Sequence, residues 1–75
     1  MKILLYASPS DPWSDKAAKW LKKNKVEFEY LDVMDNHKLW IEVISKSNQL
    51  STPVFDIDGK ILVGFDEAQL SAVLT

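Results

Sequence analysis

The chain of 75 residues contains no cysteine. That excludes a disulfide, a thiolate nucleophile and a thiolate-held iron–sulfur cluster. Arginine is absent too. The basic side chains are nine lysines, and the net charge is −2. Without the bidentate guanidinium fork that reads phosphates and guanine edges, nucleic acid is not an expected partner. The one histidine, His37, cannot build a zinc site, and no acidic calcium loop is present. No apolar run approaches the length of a membrane span. The stretch Met1–Tyr6 is too short for a secretory leader and is followed by Pro9, Asp11 and Pro12. These absences lead to the expectation of a soluble, cytoplasmic monomer without a membrane partner.

What is present is apolar material. The hydrophobic fraction is 47%, with three Trp and three Phe. At this length the chain is one domain, residues 1–75, and its stability must come from core packing.

Residues 3–6 form a short apolar run that ends at Ser8-Pro9-Ser10, as a buried strand running into a loop would. Asp11-Pro12 then reads as a helix start, with Asp at the N-cap and Pro at the first helical position. That helix is expected to run to about Asn24, with Trp13, Ala17, Trp20 and Leu21 inward. Lys22, Lys23 and Lys25 suit the negative end of its dipole. Alternation over Glu27–Val33 predicts a second strand with Phe28 and Tyr30 on one face. Asn36 is placed to cap a second helix to about Ser47, with Leu39, Trp40, Val43 and Ile44 as its stripe. A strand from Pro53 to Ile57, an Asp58-Gly59 turn and a strand from Ile61 to Val63 make a hairpin. A last helix follows Asp66, with Leu70, Val73 and Leu74 inward. The order β-α-β-α-β-β-α implies an α/β fold. A right-handed parallel crossover plus an antiparallel hairpin gives a mixed four-stranded sheet with helices on both faces.

Three stretches resemble one family. Ser8-Pro9-Ser10-Asp11-Pro12-Trp13-Ser14 is similar to the strand-end loop and Cys-Pro-aromatic-Cys motif of glutaredoxins, with Asp11 and Ser14 in the two cysteine places. Ser51-Thr52-Pro53-Val54 resembles the segment whose proline is cis in that family. Asp56-Ile57-Asp58-Gly59-Lys60 and Val63-Gly64-Phe65-Asp66 resemble the ending of small bacterial and archaeal glutaredoxin-like proteins. The resemblance runs along essentially the whole chain and implies a thioredoxin-like (glutaredoxin) fold with three helices. The activity it implies is disulfide reduction and electron transport in cell redox homeostasis. No catalytic cysteine of that chemistry remains.

The resemblance places a glutathione- or peptide-binding site at Asp11, Pro12, Trp13, Thr52, Pro53 and Asp66. Asp11 is either a carboxylate standing where the family holds a thiolate or a plain N-cap, worth ~1 kcal/mol. Ser14 is expected to be an ordinary polar residue of the first turn, because no base is at hand to ionise it. Trp13 is a rim aromatic or a core side chain, with the surface favoured. The main chain at Thr52, before a cis proline, would pair with an extended peptide or with glutathione. Asp66 lies where glutathione users bind the γ-glutamyl end, although it also reads as an N-cap. Phe65 crowds that place, so glutathione, the one cofactor implied, is expected to bind weakly. No metal site is expected. His37 is expected in a helical first turn, and Trp20 and Trp40 in the core.

Three functional readings stand side by side. One is a disulfide reductase whose cysteines were substituted in the laboratory, which Ser14 fits better than Asp11. Another is a naturally redox-inactive module holding a peptide or partner protein in the cis-proline groove. The third is a designed structural domain. Under all three, thiol–disulfide exchange is excluded, because it requires a thiolate attacking sulfur.

Overall fold

Alternation along the first strand organises the molecule. In the computed structural model, which describes residues 1–74, strand β1 (Ile3–Ala7) sends Ile3, Leu5 and Ala7 to one face. Tyr6 points to the other, with Leu4. The first face is covered by α1 (Pro12–Lys23) and α3 (Glu67–Leu74), which contribute Ala17, Ala18, Leu21 and Leu70. The second is covered by α2 (His37–Ser47) through Val43, Leu39 and Trp40. Leu5, Leu21, Phe55 and Leu70 are essentially sealed from solvent. Burying a side chain of that size contributes about 1.5–3 kcal/mol.

The sheet order is β2-β1-β3-β4, with β2 at Glu29–Asp32, β3 at Val54–Ile57 and β4 at Lys60–Val63. The pair β1–β2 is parallel, with Leu5 opposite Tyr30. The pairs β1–β3 and β3–β4 are antiparallel, with Leu5 opposite Phe55 and Phe55 opposite Leu62. Asp58 and Gly59 both have positive φ, 51° and 91°, as a two-residue turn of the hairpin type requires.

Local chemistry sets the ends. Asn24 closes α1 by donating its main-chain N–H to the Trp20 carbonyl at 3.0 Å. Asn36 Oδ1 caps α2 by accepting from Lys38 N at 3.0 Å. Asn48, left-handed with φ 58°, ends it.

Several details differ from the sequence reading. The second strand is Glu29–Asp32, shorter than Glu27–Val33, and it pairs with Leu4 to Ala7 of β1. Phe28 packs against the α1/α3 core from outside the ladder, while Tyr30 on the same face is exposed, since β2 is an edge strand. The buried face of α1 is Ser14, Ala17, Ala18 and Leu21, so Trp13 is not part of it. Trp20 and Trp40 pack on the two core clusters while staying partly accessible. Ile44 is exposed rather than inward, because only Val43 of α2 reaches full burial over the sheet. Val73 and Leu74 do pack on the core, partly buried.

Candidate functional site

The site is built where β1 ends and α1 begins. Asp11 has extended backbone dihedrals, so its side chain turns back over the first helical turn. Asp11 Oδ1 accepts the Trp13 N–H at 3.0 Å. Asp11 Oδ2 accepts two hydroxyls, Ser14 Oγ at 3.0 Å and Thr52 Oγ1 at 2.9 Å. Ser14 Oγ in turn accepts the Ser8 N–H at 3.1 Å. Pro12 occupies the start of the helix, where its missing N–H costs nothing.

This chain of bonds decides the charge of the site. Burial pushes the Asp11 carboxyl up. The hydroxyls of Thr52 and Ser14 and the N–H groups of Trp13 and Ser14 outweigh that and hold it below the ordinary carboxylate range. Asp11 is therefore an anion at neutral pH, set on the positive end of α1.

Ser14 lies in the first turn of α1, as expected, and is fully buried there. Its hydroxyl links the end of β1 to Asp11 and leaves neither group unsatisfied. Ser8, buried at the end of the strand, was not singled out from the sequence. The polar run 8–10 directly after a buried strand is the signal that would have found it.

A groove of about 240 Å³ opens beside this network, lined by Trp13, Thr52, Pro53, Gly64 and Phe65. The Thr52–Pro53 peptide is cis. The Pro53 carbonyl accepts the Gly64 N–H at 2.8 Å, which ties the two walls together. Trp13 is 54% exposed, with Lys16 Nζ 4.4 Å from its ring centroid. Phe65 stands edge-on to Trp20, with ring centroids 6.4 Å apart, and so is held from behind.

Of the residues expected at the site, Asp11, Ser14 and Thr52 are joined by hydrogen bonds, and Trp13, Thr52 and Pro53 share the groove. Asp66, next to Phe65, is engaged as a helix cap. Its Oδ1 accepts the N–H groups of Ala68 and Gln69 at 2.9 and 3.2 Å, capping α3. His37 lies apart, bordering a wider apolar hollow on α2 with Met34, Trp40, Ile41, Ile44 and Leu50. That hollow lacks the converging polar groups of a small-molecule site. Among the described residues, no group of three or more His, Cys, Asp or Glu side chains is placed to hold a metal ion.

One family model, that of glutaredoxin, matches residues 3–62 of the chain. The chain belongs to the glutaredoxin family. It is 36% identical over 72 residues to an uncharacterised glutaredoxin-like protein of the rubredoxin operon of Clostridium pasteurianum, covering 96% of each chain. A crystal structure of a mutant of the thioredoxin-like protein BC3987 superposes with a TM-score of 0.91 at 31% identity, covering 99% of this chain and 100% of that one. Methanoredoxin of Methanosarcina acetivorans gives 0.89 at 29% identity, covering 97% and 83%. This glutaredoxin-family chain contains no cysteine.

Proposed function

We propose that this member of the glutaredoxin family is a redox-inactive binding module that holds an extended protein segment along Thr52 and Pro53. The observation that carries the reading is the closed set of bonds Ser8–Ser14–Asp11–Thr52. Asp11 and Ser14 satisfy one another and the proline loop. Two cysteines replaced one at a time without regard to their surroundings would not be expected to leave every buried polar side-chain atom satisfied, as it is among the described residues.

Exchange chemistry needs a sulfur nucleophile, and the chain contains none. Holding a strand-like ligand needs only main-chain groups beside a shaped wall. Among the described residues, no main-chain hydrogen bond occupies Thr52, and the neighbouring Trp13 offers an exposed aromatic of the kind that anchors interfaces.

Two measurements test this. Disulfide reduction by the protein should equal the no-protein background. Titrating blocked extended peptides into isotope-labelled protein should shift the resonances of Trp13, Thr52 and Phe65 saturably. Reduction above background, or a titration that leaves those three resonances still, would overturn the proposal.

A further inference from the structure

The two helix N-termini that flank the groove are already filled by carboxylates of the chain itself. At the Thr52 end, Asp11 takes up the Trp13 N–H and both nearby hydroxyls. An incoming anion would find those donors occupied and a fixed negative charge beside them. At the Phe65 end the next residue is Asp66, whose carboxylate has taken the Ala68 and Gln69 N–H groups. Glu67 follows in the first turn of α3. Lys16 is a cation near this groove, and it lies over the ring of Trp13.

Between these negative ends the walls are apolar. The indole of Trp13 and the edge-held ring of Phe65 line about 240 Å³ together with Thr52, Gly64 and Pro53, whose side chain is itself buried. That is below the ~300 Å³ at which pockets begin to enclose whole drug-sized ligands. It is room for one large side chain.

We infer that the groove selects an extended protein segment that carries one large apolar side chain next to a cationic residue, and that it rejects anionic ligands, glutathione included. The apolar side chain lies between Trp13 and Phe65. The segment's main chain runs along Thr52, and its cation faces Asp11 or Asp66. This specificity rests on the peptide-binding reading above, and its test is arranged so that the two fail separately.

The probes are blocked pentapeptides with a central phenylalanine, flanked by lysine in one and glutamate in the other. A third replaces the phenylalanine of the lysine peptide by alanine. Reduced and oxidised glutathione complete the set. Binding is read by resonance shifts at Trp13, Thr52 and Phe65. The lysine peptide should bind about five- to tenfold more tightly than the glutamate peptide at low salt, as expected for partly screened charges a few ångströms apart. The alanine peptide and both forms of glutathione should bind more weakly still. Asp11→Asn, which keeps a capping side chain, should shrink the lysine-to-glutamate ratio with the fold intact. Equal affinity for the two charged peptides, or glutathione binding as tightly as the lysine peptide, overturns the specificity and leaves the groove reading standing. If no peptide moves those resonances, the groove reading and the specificity both fall.

Discussion

Thr52 Oγ1 donates to Asp11 Oδ2 at 2.9 Å, across 41 positions of sequence, and so fastens the loop before Pro53 to the first turn of α1. The bond is charge-assisted, because its acceptor is ionised, and such bonds are roughly twice as strong as neutral ones. It also joins the groove to the helix cap, since Thr52 is both a groove wall and the partner of Asp11.

The first prediction concerns that pair. Asp11→Ala removes the cap and the acceptor of two hydroxyls, and should destabilise the protein by about 1–2 kcal/mol. Thr52→Val should cost less alone. Urea denaturation of both single variants and the double variant should give a coupling energy of about 1 kcal/mol or more between the two sites. Strict additivity would mean that the bond contributes nothing in solution.

A second prediction follows from ionisation. Asp11 is held low by its hydrogen bonds against the effect of burial, and Asp56 is held low chiefly by its bond to Lys46. A carboxyl with a lower folded than unfolded pKa contributes stability that is complete above its unfolded value, near 3.8 for both. That contribution is lost as pH falls through the folded value. Stability measured from pH 7 downward should therefore drop most steeply below pH ~4. Asp11→Asn should be flatter there than the parent. Parallel curves would show that Asp11 titrates normally.

A third prediction uses the same donors on sulfur. In Asp11→Cys, the Trp13 N–H, the Thr52 hydroxyl and the end of α1 should stabilise a thiolate. Its pKa should lie below the ~8.5 of a free cysteine. The pH dependence of alkylation reads it directly. Adding Ser14→Cys should then give disulfide reduction above the parent's background. A thiol titrating at or above the free value would show that the hydrogen bonds are specific to a carboxylate.

The fourth prediction lies on the opposite face. The Tyr6 hydroxyl donates to Glu42 Oε1 at 2.7 Å and accepts from Lys46 Nζ at 2.7 Å, while Lys46 pairs with Asp56 at 2.6 Å. Lys46→Met leaves the half-buried Asp56 carboxylate without its cation and should cost about 1–3 kcal/mol. Adding Asp56→Leu should recover part of that loss, because removing both charges avoids the unpaired one. Thermal unfolding of the two variants tests it, and a double variant no better than the single would show that the pair contributes through more than its charges.

The amino-acid sequence determined what short-range chemistry decides. Asp11-Pro12 and Asn36 announce their helices because a cap and its N–H partners lie within three residues. Asp58-Gly59 announces its turn because both residues tolerate positive φ. The continuous apolar run from Ile3 to Tyr6 announces a buried strand, and the absence of cysteine removes thiol chemistry. Tertiary structure decided the rest, because the remaining choices depend on which distant groups meet. Strand β2 pairs over four residues with β1, and Ile44 stays outside because α2 covers the sheet alone. Ser14 is buried because the end of β1 brings the Ser8 N–H to it. Asp11 becomes more than a cap only when the chain returns, 41 residues later, with the hydroxyl of Thr52. Hydrogen bonds between segments so far apart leave no periodic trace in sequence, and they are what turns a capped helix into a groove with a charged end.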